Sequence, residues 1–303
     1  MDKSPSAKIN IVMLGLVLYF LFAQNFLGRI VFSPFLNSLD TTNFLPWLLH
    51  LLVANIPTYA PLLIYFLYKL FTKSKQGPAE ALLIRRLSLK NVLYVVIMGS
   101  TVVLLFIWAD YGISFIGGGT PQLEVLIMPL GRQLIVGAVV ASVLEELYWR
   151  GLMFTEYNAQ KASFWKFAIA SGVFFGLIHG GVLGVSVSTF AGILIYAPLI
   201  YLTRSIWAPI LYHTLVNGIN PTLLHFLNDK EDFDTFFPTF MLALTIILAI
   251  LIPASIICAK KFWAHNKHNI IPKSKLPKES KSFIITFWLL IAFMVVAIFL
   301  FRI

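Results

Sequence analysis

Residues Phe240–Lys261 read Phe-Met-Leu-Ala-Leu-Thr-Ile-Ile-Leu-Ala-Ile-Leu-Ile-Pro-Ala-Ser-Ile-Ile-Cys-Ala-Lys-Lys, with no charge until the last two positions. A helix of about 20 apolar residues crosses the hydrocarbon core of a bilayer, so this stretch predicts a membrane span. Eight further stretches of similar character lie along the chain: Ile9–Phe32, Phe44–Phe71, Asn91–Tyr111, Leu126–Thr155, Phe164–Gly180, Val182–Thr203, Ile206–Leu227 and Phe283–Phe301. Hydrophobic residues fill 59% of the 303 positions and charged residues 12%. A soluble domain carries about twice that charged share. The expected fold class is all-α, a polytopic transmembrane helical bundle of eight to nine spans. The first run is too long for a signal peptide and lacks a small-residue cleavage site, which predicts a retained span. With Cys258 the single cysteine, no intramolecular disulfide is available and helix packing must hold the fold.

The net charge of +10 suggests nucleic-acid binding until its positions are read. Basic residues gather before the first stretch (Lys3, Lys8), after the second (Lys73, Lys75, Arg85, Arg86, Lys90), after the fourth (Lys161, Lys166), after the sixth (Arg204) and across Lys260–Lys281. The intervening loops hold Asp40, then Asp110 with Glu124, then the acidic run Asp229–Asp234 interrupted by Lys230. Cytoplasmic loops carry the lysine and arginine excess in membrane proteins, so the alternation predicts a cytoplasmic N-terminus. The implied partner is the lipid bilayer; Lys260–Lys281 reads first as a solvated loop, with contact to anionic headgroups as an extra use. No nucleic-acid partner is expected.

The fourth stretch contains Val143-Leu144-Glu145-Glu146-Leu147-Tyr148-Trp149-Arg150-Gly151. Each ionisable residue at a membrane helix centre costs about 2.5–3.5 kcal/mol, so the three together cost roughly 8–10. Glu146 and Arg150 stand four apart with the acid first, the favourable order for a pair on one helix face. Glu145 points about 100° away. The spacing therefore gives Glu146 an internal partner and leaves Glu145 as the carboxylate for chemistry. His179 ends the fifth stretch, four residues after Phe175. His213 and Asn217 share one side of the seventh. Taken singly, each histidine reads first as a packing residue, and a Phe at that spacing carries little meaning in a chain with 27 of them.

A carboxylate in a low-dielectric site gains the basicity a general base needs, and imidazole and carboxamide groups supply water-holding and oxyanion donors. That set suits addition of water to a peptide carbonyl. There is no Gly-rich phosphate loop, haem-attachment motif or cysteine cluster to suit phosphoryl or redox chemistry.

Glu145-Glu146…Arg150, Phe175…His179 and His213…Asn217, in this order on successive helices, resemble the CPBP (Abi) family of intramembrane proteases. Its best-known branch is the type II CAAX prenyl endopeptidase, and bacteriocin-processing and self-immunity proteins are bacterial relatives. The resemblance covers roughly Leu126–Leu227. It implies that Glu145 activates water with help from His179, that His213 and Asn217 stabilise the oxyanion, and that Glu146 and Arg150 orient the first carboxylate. It also implies a peptide or protein substrate, prenylated or a precursor peptide. The chain then divides into N-terminal spans (1–125), a catalytic core (126–228) and C-terminal spans with a basic loop (229–303). The family has been described both as metal-dependent and as metal-free. The metal-free reading is adopted, with no cofactor. Zinc held by Glu145, His179 and His213 as a metalloendopeptidase site is the alternative. Two other functions compete: a non-catalytic membrane immunity or scaffold protein, and a proton-coupled transporter lined by the same groups.

Overall fold

The computed structural model describes residues 7–23, 26–27, 34, 38, 43–71, 77–117, 129–159, 161–177, 179, 182–228, 233–272 and 275–301. Among these residues the chain is helical, without strands. Helices α1 (Lys8–Phe22), α2 (Phe44–Phe71), α3 (Leu89–Ile116), α4 (130–159), α5 (Phe164–Leu177), α6 (182–203), α7 (Trp207–Asn228), α8 (Phe233–Asn266) and α9 (Lys281–Phe301) follow in order. Of the residues read for topology or as spans, Lys3, Asn25, Arg29, Asp40, Lys73, Lys75, Glu124, Gly180, Gly181, Asp229, Lys230 and Lys273 lie outside the described residues.

Among the described residues, three helical stretches are long and apolar enough to cross a membrane: Leu89–Ile113, Val185–Thr203 and Phe233–Asn269, with mean hydropathies of 2.4, 1.8 and 2.7. Lys8–Phe20, Phe164–Leu177 and Lys281–Val296 are shorter apolar helices. Large apolar side chains face outward: Ile113 is 80% exposed and Phe71 78%. Outward apolar faces on helices of this length match a lipid solvent and make the chain an integral membrane protein.

Packing groups the helices into two compact units that interleave along the sequence. One comprises residues 1–85, 144–201 and 271–303, the other 86–143 and 202–270. This differs from the sequential division into 1–125, 126–228 and 229–303, because helices pack against spatial neighbours from distant parts of the chain.

In the first unit, buried polar side chains join the helices, as expected where lipid offers no hydrophobic drive for association. Asn10 Nδ2 donates to the Phe283 carbonyl at 3.0 Å and to Thr286 Oγ1 at 2.9 Å, tying α1 to α9. Tyr157 Oη donates to Asn10 Oδ1 at 2.9 Å, adding the end of α4. Pro57 and Pro61 both lie inside α2. Pro61 has no N–H for the Pro57 carbonyl four residues earlier, and Tyr19 Oη donates to that oxygen at 2.7 Å instead.

Helices α5 and α6 pack backbone against backbone. A Cβ at Gly172 would lie 2.5 Å from Ile193 Cγ1 and 2.8 Å from the Thr189 carbonyl; one at Gly176 would meet Thr189 Oγ1. Gly172 and Gly176 form a Gly-x-x-x-Gly stripe that lets two backbones approach. Gly192 sits opposite, where a Cβ would lie 2.5 Å from Gly172 Cα.

Helices α4 and α6 depart from the predicted regular geometry. The fourth stretch, predicted as Leu126–Thr155, begins after the extended Pro129 and runs to Ala159, with wide π turns at Leu134–Ala141 and Leu147–Leu152. Helix α6 contains π turns at Gly192–Tyr196 just before Pro198, which cannot supply the N–H that a regular turn needs. The fifth stretch, predicted to Gly180, leaves helical form after Leu177, where the His179 N–H turns back to the Gly176 carbonyl at 3.0 Å.

In the second unit, α3 packs along α8 and α7. Val103, Ile107 and Tyr111 meet Phe237, Met241, Leu244 and Leu248, with Leu224 and Leu227 completing the core. Asn91 and Asn266 exchange two amide hydrogen bonds, at 3.1 and 2.8 Å, and fasten the start of α3 to the end of α8. Gly99 lies where a Cβ would be 3.1 Å from the Tyr212 ring, so α3 comes close to α7 beside His213.

Gly172→Ala is expected to destabilise the first unit by about 1–3 kcal/mol through overpacking against backbone. Gly15→Ala, at a position with open space around it, serves as a neutral control. Thermal unfolding in detergent, followed by circular dichroism, reads both.

Candidate active site

Glu145, Glu146, Arg150 and His179 belong to the first unit, His213 and Asn217 to the second. The structure brings Glu146 and Arg150 together: Arg150 Nη1 donates to Glu146 Oε1 at 2.8 Å, with both side chains fully buried. This is the pairing that the four-residue spacing predicts. In so dry a place the pair contributes mainly by mutual dependence. Removing one partner leaves a buried charge and costs about 3–5 kcal/mol.

The rest of the guanidinium is held by aromatic faces. Arg150 Cζ lies 4.1 Å from the Phe175 ring centroid and 4.5 Å from that of Tyr196. Such cation–π contacts gain strength when desolvated. Within the described residues Arg150 Nε and Nη2 make no hydrogen bond, so π electrons are what these edges of the cation meet. The close approach has a steric condition as well: a Cβ at Gly192 would stand 3.2 Å from Arg150 Nη2.

Phe175 carries the arrangement onward to His179. The two rings stand with centroids 4.5 Å apart, and His179 Nδ1 is 2.7 Å from the Phe175 carbonyl oxygen. A carbonyl only accepts, so Nδ1 bears the proton in this contact and Nε2 is the basic nitrogen of the neutral ring. The Phe-x-x-x-His spacing thus has a function that frequency arguments in a Phe-rich chain conceal. The carbonyl fixes the tautomer, and the ring bridges imidazole and guanidinium.

Glu145 is partly exposed, unlike its buried neighbour Glu146. Tyr59 on α2 lies within electrostatic reach of Glu145, Glu146 and Tyr148, and its ring meets that of Tyr148 at 6.0 Å. In the second unit His213 is almost fully buried on α7. Asn217 Nδ2 donates to the Gly137 carbonyl on α4 at 3.0 Å, which commits one of its two amide hydrogens. Within either unit, no three of the described His, Cys, Asp and Glu side chains stand together as metal ligands. The zinc alternative would draw Glu145 and His179 from one unit and His213 from the other.

Tyr196 and Gly192 are the residues that sequence reasoning missed, and the contact of the Phe175 ring with Arg150 was not read from its motif. Nothing in local spacing links Tyr196 to Arg150, since only the approach of α6 to α4 joins them. The Gly-x-x-x-Gly stripe on α5 was the available signal that a helix would come so near.

Residues 129–219 match the model of the family described as type II CAAX prenyl endopeptidase Rce1-like. All six candidate residues fall within that segment. A curated protein of Bacillus subtilis (strain 168), "Putative membrane peptidase YdiL", is 28% identical over 107 residues, 35% of this chain and 43% of that protein. The similarity thus spans less than half the length of the relative. No solved structure matches the chain. Helices and matches together define the class: an integral membrane protein with a peptidase-family segment. Within that segment, residues 129–219, the similarity is to the Rce1-like family of type II CAAX prenyl endopeptidases.

Arg150→Ala is expected to lower stability by about 3–5 kcal/mol, because Glu146 is then buried without its counter-charge. Arg150→Lys should recover only part of the loss, since an ammonium offers no planar group to meet the two rings while pairing with the carboxylate. Unfolding midpoints of the purified variants check both.

Proposed function

We propose that the chain is an intramembrane endopeptidase that hydrolyses a peptide bond near the cytoplasmic side of the membrane. Glu145 acts as general base and takes a proton from water, which His179 holds through Nε2. The water oxygen adds to the scissile carbonyl. The resulting oxyanion accepts hydrogen bonds from His213 and from the second amide hydrogen of Asn217. Collapse breaks the C–N bond, and the proton held by Glu145 passes to the departing amine. Glu146 and Arg150 keep Glu145 at its angle on α4. No metal takes part in this scheme.

The observation that carries the reading is the continuous contact from Glu146 through Arg150 and Phe175 to His179. It lies within the segment that matches a peptidase family. It links the carboxylate helix to the imidazole that would share a water with Glu145. An ion pair serving stability alone would have no need of the third group.

The proposal extends to the setting. The chain crosses the membrane of a bacterium eight to nine times, with its N-terminus in the cytoplasm, in keeping with the alternation of basic loops. Its substrate is a peptide or protein, either prenylated at a CAAX end or a precursor peptide of the bacteriocin type.

The test uses the full chain in liposomes with a fluorescence-quenched farnesylated CAAX peptide, together with peptidomics of membranes expressing wild type or Glu145→Gln. Glu145→Gln should lower kcat by about 10²–10⁴-fold, the range for loss of a general base, while the unfolding midpoint stays the same. Uncut precursors should accumulate in its membranes. Treatment with 1,10-phenanthroline should leave the rate unaltered. Matching peptidomes and equal cleavage by the two proteins would reject the reading.

A further inference from the structure

Two stretches of π turn meet at one guanidinium. Arg150 lies in the first, Leu147–Leu152, while Gly192 and Tyr196 open and close the second, Gly192–Tyr196. Such turns are rare and concentrate at functional sites. Gly192 clears space for Arg150 Nη2, and Tyr196, four residues on, presents its ring 4.5 Å from Cζ. Phe175 presents a second ring at 4.1 Å, and the two rings touch each other with centroids 5.3 Å apart. Both aromatic residues are buried.

From this geometry we infer that Tyr196 is a positioning residue for the reaction, one jaw of an aromatic clamp whose other jaw is Phe175. The inference rests on the proposed endopeptidase reading. Tyr196 does not touch the reacting atoms in that scheme. It fixes the plane of Arg150, which holds Glu146 and so the orientation of the neighbouring Glu145. It also backs Phe175, whose far contact is His179. One side chain thereby sets both groups that share the attacking water. Displacements of about 1 Å at such groups are worth around 10²-fold in rate, so a loosened clamp should show in kcat before it shows in substrate binding.

The clamp needs the π face of Tyr196 and not its hydroxyl. In liposomes with the quenched farnesylated peptide, Tyr196→Phe should keep wild-type kcat, KM and pH profile. Tyr196→Leu should lose about tenfold or more in kcat with KM little changed. Because Leu also removes the packing volume of the ring, a shape-preserving series replaces Tyr196 by phenylalanines carrying one, two and three ring fluorines. Fluorine drains the π face, so kcat should fall stepwise along the series. A flat series, or equal loss in Tyr196→Phe and Tyr196→Leu, would overturn the clamp.

A readout independent of substrate separates this inference from the reading beneath it. The Arg150 Hε resonance, shifted by the two rings, should keep its position in Tyr196→Phe and move toward the ordinary arginine range in Tyr196→Leu. An unmoved resonance in Tyr196→Leu rejects the clamp even if Glu145→Gln is inactive. If Glu145→Gln remains active, the endopeptidase reading falls and Tyr196 loses its positioning role with it.

Discussion

A carboxylate and a guanidinium sealed together inside apolar helices place a demand on everything around them. Glu146 and Arg150 meet at 2.8 Å with no exposed surface, so each is tolerable only while the other stays in place. A carboxylate pairs with one edge of the planar cation, and the remaining edges must find partners where water is scarce. The first unit answers with π faces. Phe175 comes from α5 and Tyr196 from α6, so the ion pair on α4 depends on two neighbouring helices holding their positions.

Those helices can come so near only because side chains are missing where they cross. Gly172, Gly176 and Gly192 remove the atoms that would separate α5 from α6 and α6 from Arg150. In lipid, packing and hydrogen bonding replace the hydrophobic drive that joins helices in water. The same economy appears at Pro57, whose carbonyl loses its helical partner to Pro61 and accepts the Tyr19 hydroxyl instead. It appears again where Asn10 links three helices, and where Asn91 and Asn266 exchange amide bonds in the second unit. At each of these places a polar atom unspent by its own helix meets its complement on a neighbouring helix.

The candidate site is an extension of this packing. The Phe175 carbonyl selects the proton position on His179, and the Phe175 ring lies against both that imidazole and Arg150. Structural support and candidate chemistry are therefore the same set of atoms viewed from two sides. The match of residues 129–219 to the Rce1-like family covers this set and the His213–Asn217 pair of the second unit.

Much of this was legible in the chain. Runs of apolar residues gave the helices, because a bilayer accepts little else, and the four-residue spacing of Glu146 and Arg150 gave their pairing, because a helix turn brings those positions together. The motif order pointed to the family that residues 129–219 resemble and singled out Glu145, His179, His213 and Asn217 as candidates. Helix ends were less legible: α4 starts and stops later than its apolar run, and α5 ends before His179, since turn bonds and prolines decide termini. The π turns, the approach of the Phe175 ring to Arg150, and the part played by Tyr196 had no signature in spacing. The sequence by itself determined which groups must be buried and which neighbours within one helix they meet, because those follow from hydropathy and helical period. Tertiary structure alone decided which distant rings close on Arg150, because contacts between helices depend on glycine clearances and wide turns that no single helix specifies.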